Sequence, residues 1–449
     1  MSRFNPENRD DNGRREIASQ YYPLTGPYDS QDGTILEYQT LLMKISGIDG
    51  VIVDWYGMED FWDYGVLNAA THATFAAIER AKLSFSICCE DQTVMHMINN
   101  VRLPAAEALA HGKKVMQYLQ DHWLNTDAYV KIDGRPLLLV FGPLYFQNSA
   151  DWNALFADLP TPPMFFTEDN RVAPAVGAYP WPPMWKSVNG VLTQAALEEY
   201  LTQFYQKARS WPKLKASAIP GIHDIYTAAG VGVGYGILDA KDGETFRFTL
   251  QFAYDRQADV IQLVTWNDYG EGTVIEPTEE FGYRYLETVQ EFRHASDASF
   301  PFGPAQLRLP LRIWQMRREY VDDAQVNADL DRVFDFLIAG DIDRAETLMN
   351  KLPSKVGGRT EAPSSFLTIR NYPNPFNAAT TISYQLPQQA FVDLSIYAPN
   401  GRLVQRLVFE TQAAGAHSVN RRGDTPSGVY VYRLTAGQKT VSGKCLLIK

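Results

Sequence analysis

The stretch LVTWNDYGEGTVIE, residues 263–276, decides how the chain reads. It begins as an apolar run of strand length. The run ends in Trp266, Asn267, Asp268, Tyr269 and Gly270, and a second carboxylate, Glu271, follows three residues after Asp268. Cleaving a glycosidic bond asks for two carboxyl groups of unequal proton affinity. One protonates the leaving oxygen while the other serves the opposite side of the sugar. A loop at the C-terminal end of a strand is where an α/β barrel keeps its chemistry. Asp268 and Glu271 are therefore the candidate catalytic pair of a hydrolase acting on sugars.

The rest of the N-terminal two thirds supplies the strands such a loop needs. Apolar runs lie at residues 47–57, 82–91, 135–142, 163–169, 177–181, 216–224 and 260–267. Helical patterns fall between and around them, at 35–45, 68–81, 105–122, 197–209, 243–257 and 281–294. Continuous apolar strands separated by helices imply a parallel sheet covered on both faces. The alternation predicts a (β/α)8 TIM-like barrel over residues 1–297, one strand short, because residues 1–34 hold no apolar strand. A doubly wound open sheet is the competing architecture, but no Gly-rich phosphate turn supports it. Several runs end in acids or polar residues: Asp54, Glu90-Asp91, Glu168-Asp169 and His223-Asp224. A barrel mouth requires such residues; acids there also cap the helices that follow.

Downstream the pattern changes. Residues 299–311 are Pro-rich, 313–352 are helical and 353–365 read as a second linker, so 298–365 is expected to be a Pro-rich and helical connection. From residue 366 onward, runs such as TTISYQL, FVDLSIY and GVYVYRL alternate with period two, which predicts a small antiparallel β-sandwich over 366–449. Charge divides at the same point. Residues 366–449 hold nine Lys/Arg and three Asp/Glu, a net of +6, against −17 for the remainder. The overall charge of −11 argues against a nucleic-acid partner. No apolar run is long enough for a transmembrane segment. The polar start, MSRFNPENRDDNGRRE, has no signal-peptide core. The three cysteines make no disulfide framework, and the seven histidines are scattered without metal-ligand spacing, so no metal and no cofactor is expected.

The stretch YYPLTGPYDSQDGTILEYQTLLMKISGIDGVIVDWYG (residues 21–57), together with TWNDYGEGTVIEPT (residues 265–278), resembles glycoside hydrolase family 99 and the related family 71/99-like proteins. The resemblance spans residues 3–295 and implies a (β/α)8 barrel and a retaining endo-α-mannosidase-like activity on α-mannans or mannose-containing glycans. It implies that Asp268 acts on the sugar's 2-hydroxyl, promoting a 1,2-anhydro intermediate, and that Glu271 is the general acid and then the base for water. The family carries Glu where this chain has Asp268. A carboxylate displaced by about 1 Å can cost on the order of 100-fold in rate, so an α-1,3-glucan or other α-glycan substrate, or a noncatalytic glycan-binding barrel, stays open. The family's usual first strand lies upstream of a segment like SRFNPE, so the resemblance also implies a strand and a signal segment ahead of Met1. NYPNPFNAATTISYQL (residues 371–386) with SGVYVYRL (residues 427–434) resembles the type IX secretion sorting domain. That implies the secretion machinery as a partner and a secreted or cell-surface location.

Sugar rings present C–H faces that pack on aromatic side chains. Trp55, Tyr56, Trp62, Tyr64, Trp181, Trp185 and Tyr269 lie at or near predicted strand ends and are candidate platforms, Trp55 and Trp181 foremost. Trp266 and Tyr269 also supply the apolar surroundings that raise a general acid's pKa. Tyr28, Asp29, Asp54, Glu90, His223, Asp224 and Asn267 are candidate hydroxyl ligands. The blander readings are loop packing for the aromatics, helix capping for Asp29, and a solvated acidic loop for Asp268 and Glu271 beside Glu276, Glu279 and Glu280.

Overall fold

The computed structural model describes residues 3–10, 13–353, 368–372, 376–377, 379–386, 388–422, 425–437 and 439–447. They fall into two units, residues 1–352 and 353–449. The expected second linker beyond Pro353 and residues 373–375 of the expected sorting motif lie outside the described residues.

In the first unit strands and helices alternate: α1 (Gly33–Ser46), β1 (Gly50–Trp55), α2 (Tyr64–Arg80), β2 (Ser84–Cys89), α3 (Gln92–Asn99), α4 (Ala108–Leu119), β3 (Arg135–Val140), α5 (Ser149–Phe156), β4 (Met164–Glu168), β5 (Gly177–Tyr179), α6 (Gln194–Ala208), β6 (Lys215–Ala218), α7 (Glu244–Tyr254), β7 (Val260–Leu263) and α8 (Arg284–Ser296). β1 to β5 pair in parallel in that order, and β6 pairs in parallel with β7. The Lys213 amide donates to the Val176 carbonyl at 3.3 Å, which sets β6 beside β5. The parallel strands thus follow one another around the sheet as the alternation predicts. α3 and α5, eight residues each, are too short for periodicity to declare and were not expected.

Strand parity creates a lumen. Ile52, Cys88, Leu137, Leu139, Met164, Phe166 and Tyr179 form one apolar cluster drawn from β1 to β5. Trp55, Phe85, Cys89, Leu138, Val140 and Phe165 point the other way, into the larger core shared with the helices. Both faces of the sheet are therefore buried, which is why these strands read as unbroken apolar runs. Lys215, wholly buried at the start of β6, reaches Gln262 and lies over the Tyr179 ring at 4.5 Å. Burial holds its ammonium well below the usual lysine range.

Among the described residues no ladder joins β7 to β1. Side chains of α8 bridge that seam instead. Gln290 donates to the Ile45 carbonyl at 2.9 Å, and the Arg293 guanidinium donates to the Gly47 carbonyl at 2.6 and 2.9 Å and pairs with Asp49. Gly47 caps α1 in the left-handed conformation (φ 88°), and a Cβ there would meet Arg293 at 2.7 Å, so the turn admits only glycine. At its start α1 is capped by Asp32, whose side chain accepts from the Thr34 amide at 2.8 Å. The helix is buried nearly all round. Its polar Glu37 is accommodated by Arg317 at 3.0 Å and Arg80 at 2.8 Å.

Residues 298–352 are not a linker. Leu309–Glu319, Ala324–Ile338 and Ile342–Lys351 are helices. They join the main core through Ile313, Leu330, Val333, Phe334, Leu337 and Met349. The Pro-rich stretch that leads to them is pinned by Phe302 and Leu307, 3% and 0% exposed. Proline there shapes a packed connection, and composition alone could not distinguish that from a loose one. The second unit has a three-stranded sheet (Thr368–Tyr372, Ala379–Leu386, Gly415–Arg422) and a four-stranded sheet (Ala390–Tyr397, Leu403–Gln412, Gly428–Ala436, Lys439–Leu447), both antiparallel. Ile382 and Leu386 of one pack with Val392, Leu394 and Leu434 of the other, the expected sandwich.

Because Leu307 is a core residue, Leu307→Ala is expected to destabilise the first unit by about 2–5 kcal/mol. Chemical denaturation checks this; a residue in a loose linker would shift stability by less than about 0.5 kcal/mol.

Candidate active site

The parity that fills the lumen also sets its rim. Asp54 shares the inward face of β1 with Ile52, Glu90 lies two residues beyond inward Cys88, and Glu168 two beyond inward Phe166. Three carboxylates therefore stand at the C-terminal end of the lumen on three strands. Their neighbours Trp55, Asp91 and Asp169 face elsewhere. Asp91 accepts the amides of Leu144, Tyr145 and Phe146 at 2.8–2.9 Å, holding the loop after β3, and Asp169 accepts the Tyr200 hydroxyl.

The loop after β7 adds the other two. The Asp268 amide donates to Thr265 Oγ1 at 3.0 Å, and Asp268 Oδ1 accepts the Glu271 amide at 2.8 Å. The Gly272 amide returns to the Asp268 carbonyl at 3.0 Å. On the other side the Glu271 and Gly270 carbonyls accept the amides of His223 and Ile225, each at 3.0 Å. Gly272 is left-handed (φ 68°), and a Cβ there would lie 2.5 Å from the His223 carbonyl oxygen. The glycine after Glu271 is thus a packing requirement of the loop.

These acids raise one another's proton affinity. Burial, with the charges of Asp268, Asp224, Asp54 and Glu168, pushes Glu271 up to about 8. Burial, and then the charge of Asp54, takes Glu90 to about 8; burial and Asp169 take Glu168 to about 7. Asp54 is open to solvent at the mouth yet walled by protein; burial raises it to about 7 against a hydrogen bond from Tyr56. Burial raises Asp268 as well, opposed by the amides of Glu271 and Gly270. A cleft that holds carboxyls half protonated near neutrality suits acid–base chemistry. Among the described residues no group of three or more His, Cys, Asp or Glu is arranged to hold a metal ion.

A second layer fixes the loop. Glu276, 1% exposed, accepts from the Tyr28 hydroxyl at 2.8 Å, Gln39 Nε2 at 3.0 Å and the Tyr269 hydroxyl at 3.0 Å. Asn267 Nδ2 and Gln39 Nε2 donate to the Tyr28 oxygen at 3.1 and 3.0 Å. Tyr28 and Tyr269 are therefore engaged with this carboxyl, and Asn267 with Tyr28. The expectation of a solvated acidic loop fails at Glu276; Glu279 and Glu280 do face outward, near Arg14 at 3.1 and 3.6 Å.

The remaining expected residues divide. Tyr56 stands at the mouth on Asp54. Trp181 is half-buried beside the lumen, its ring 5.2 Å from Phe141 and 6.4 Å from Tyr179. Trp55 is no platform: 1% exposed, it stacks on Tyr118 at 5.8 Å and donates to Asn68 at 3.0 Å, because its position on β1 turns it under the helices. Asp29 is on the surface, accepting the Gln31 amide of its own turn, and Asp32 caps the helix instead. Asp224 accepts the amides of Tyr226 and Gly236 at 3.0 and 2.8 Å and shapes that loop. His223 lines a cavity of about 210 Å³ with Tyr21, Asp239 and Phe281, and none of the mouth carboxylates lines it. Trp266 is half-buried, packed against both the main core and the cluster of Phe246 and Tyr285. Glu168 and Glu276 were not among the expected site residues. Counting inward positions from Phe166 finds the first; nothing in the sequence separates the second from its acidic neighbours.

An acid-lined barrel mouth in one unit and an antiparallel sandwich in the other define the chain's class. Residues 370–449 match the family model of the secretion system C-terminal sorting domain. The protein is therefore an exported one, secreted or held at the cell surface. No curated protein matches the sequence. Among solved structures, the chain is similar to the GH99 endo-α-mannosidase of Bacteroides thetaiotaomicron in complex with BIS-TRIS-propane, at 21% identity over 66% of this chain and 95% of that one, TM-score 0.48. A second structure of the Bacteroides thetaiotaomicron GH99 endo-α-mannosidase gives 21% identity, 66% and 91% coverage, TM-score 0.49. A glycoside hydrolase-like protein gives 14% identity, 60% and 88% coverage, TM-score 0.47.

Glu276 has a folded pKa of about 7 against an ordinary 4.5, raised by burial. A carboxyl that binds its proton more tightly when folded stabilises the fold below about pH 4.5 and loses that contribution as pH rises to about 7. Glu276→Gln is expected to remove this slope from the pH dependence of Tm. Glu276→Ala is expected to cost about 2–4 kcal/mol at every pH by stranding Tyr28, Gln39 and Tyr269.

Proposed function

We propose that the first unit is a glycoside hydrolase that cleaves an α-linked polysaccharide, most simply an α-mannan, with retention. The observation that carries the reading is Glu271: a carboxyl at the C-terminal mouth of a parallel barrel, kept protonated up to about pH 8 by burial and by the charge of Asp268. The motif resemblance of residues 21–57 and 265–278 supplies the substrate class. In the proposed reaction Glu271 gives its proton to the glycosidic oxygen as that bond breaks. Asp268 takes the proton of the sugar's 2-hydroxyl, whose oxygen closes on the anomeric carbon. Water then attacks the same carbon, losing a proton to Glu271, while the 2-oxygen regains one from Asp268. Both carboxyls end as they began, and two inversions leave the anomeric configuration unchanged.

One observation favours a variation. Asp268 Oδ1 already accepts the Glu271 amide, so this shorter acid also positions the loop. Asp54 faces the same mouth, its charge raises Glu271, and it is open to solvent. In the variation Asp54 takes the base role and Asp268 holds Glu271 in place.

Yeast α-mannan is the test substrate, with α-1,3-glucan alongside. Glu271→Gln is expected to lower kcat by roughly 10²–10⁴-fold while mannan binding persists. Hydrolysis of neither polymer by the wild type, or an unaffected kcat in Glu271→Gln, refutes the reading. Since the acid must be protonated, kcat/KM is expected to fall as pH rises past about 8. Asp268→Asn and Asp54→Asn separate the two base assignments: the variant that loses the lower-pH limb of the profile identifies the base.

A further inference from the structure

Trp266 and Tyr269, the rings expected to shelter Glu271, are committed elsewhere: Tyr269 bonds Glu276, and Trp266 packs on the core clusters. The segment between β6 and α7 brings two other rings to the place. His223 and Ile225 of this segment bond the Glu271 and Gly270 carbonyls, so it is fastened to the carboxylate loop. Tyr226 follows at once, at the head of the short helix Tyr226–Ala229. A Cβ on Gly270 would lie 3.3 Å from Tyr226 Cε1, 3.4 Å from its hydroxyl oxygen and 3.5 Å from Asp268 Oδ1. The phenol and the Asp268 carboxylate therefore share the bare face of Gly270.

Tyr235 backs this ring. The two centroids are 5.7 Å apart, edge to face at 72°. Tyr226 is half-buried and Tyr235 52% exposed, so one forms an inner layer and the other faces water. Their backbones are fixed. Asp224 accepts the Tyr226 amide with one oxygen and the Gly236 amide with the other. The Gly234 amide donates to Thr227 Oγ1 at 2.9 Å. Both neighbours of Tyr235 are thus pinned, and a Cβ on Gly234 would lie 2.4 Å from Asp224 Oδ1. Burial, then the charges of Asp268 and Glu271, hold the Tyr226 proton above the ordinary tyrosine range; burial, then Glu271 and Asp224, do the same for Tyr235. Both phenols are therefore neutral wherever the carboxyls titrate. A neutral ring beside a carboxyl excludes water, and a carboxylate short of water takes its proton back.

We propose that Tyr226 and Tyr235 are positioning residues, a two-ring wall that shuts water away from Glu271 on the side of this segment. The titratable groups that face Glu271 from elsewhere are Asp268 on its own loop, Asp224 beside Tyr226, Asp54 on β1 and Glu168 on β4. All four are acids, so they bring charge to Glu271, and the two rings bring the apolar surface. The inference rests on Glu271 as the acid and deepens that reading. The test uses the full chain with carbon-13 at the glutamate carboxyls, Glu271→Gln identifying the Glu271 signal. Its NMR titration is followed beside the pH profile of kcat/KM on yeast α-mannan. Removing a ring admits water and favours the charged form. Tyr226→Ala and Tyr235→Ala are therefore each expected to lower the NMR midpoint and the alkaline limb of the profile together, by about one pH unit. Tyr226→Phe and Tyr235→Phe keep the rings and are expected to leave both in place. Tyr235 is largely exposed, so Tyr235→Ala is expected to keep the wild-type Tm and carries the test should Tyr226→Ala not fold. An unmoved midpoint in Tyr235→Ala or in folded Tyr226→Ala, or an equal shift in the phenylalanine variants, overturns the wall. Hydrolysis that depends on Glu271 stands in that case. A wild type that hydrolyses nothing, yet whose midpoint falls when either ring is removed, overturns the hydrolase reading and supports the wall.

Discussion

The buried carboxyl of Glu276 is the constraint on which the rest of the first unit depends. It takes hydrogen bonds from Tyr28 in the N-terminal segment, Gln39 in α1 and Tyr269 in the loop after β7. Those three segments meet at the seam where β7 and β1 share no ladder among the described residues. A sheet edge ordinarily closes by backbone pairing. Here side chains do the closing, with Glu276 at the mouth and Gln290 and Arg293 at the helix layer. An acid buried in this way is costly unless its oxygens are occupied, so each of its partners is held in turn. The loop carrying Asp268 and Glu271 inherits that rigidity.

Charge accumulates at the mouth because strand parity leaves nowhere else for it to go. Asp54, Glu90 and Glu168 each follow an inward apolar residue at a spacing of two, so the lumen changes from hydrocarbon to carboxyl at one level. Burial first, and then mutual repulsion, pushes several protons on near neutral pH. Half-buried Tyr56 and exposed Trp62 stand near this level and offer apolar faces that add no charge. Acids and flat rings together fit a hydroxyl-rich ligand better than a phosphorylated one, which the same acids would repel.

The helices from residue 309 to 351 show how far a core can extend past the last strand. Their apolar faces complete the cluster begun by α1, and Arg317 reaches back to Glu37 on that helix. α1 is thus enclosed by the barrel on one side and by these helices on the other. That is why it tolerates so little polar surface, and why its acid must be paired.

The alternation of apolar runs and helices was legible from residue types alone, because a strand buried on both faces must be apolar throughout. So were the sandwich, from period-two runs, and the carboxylate loop, from its place after a strand. Glu168 follows Phe166 at an inward spacing and was within reach of the same argument; Trp55 was misjudged because parity turns it under the helices. Only the tertiary structure decided that Glu276 is a buried hub while Glu279 and Glu280 face Arg14, that residues 298–352 are core, and that His223 lines a cavity of its own. Those outcomes depend on what arrives from distant parts of the chain, as Tyr28 and Gln39 arrive at Glu276. Local sequence fixes which face a side chain takes on its own element, and it carries no record of what that face will meet.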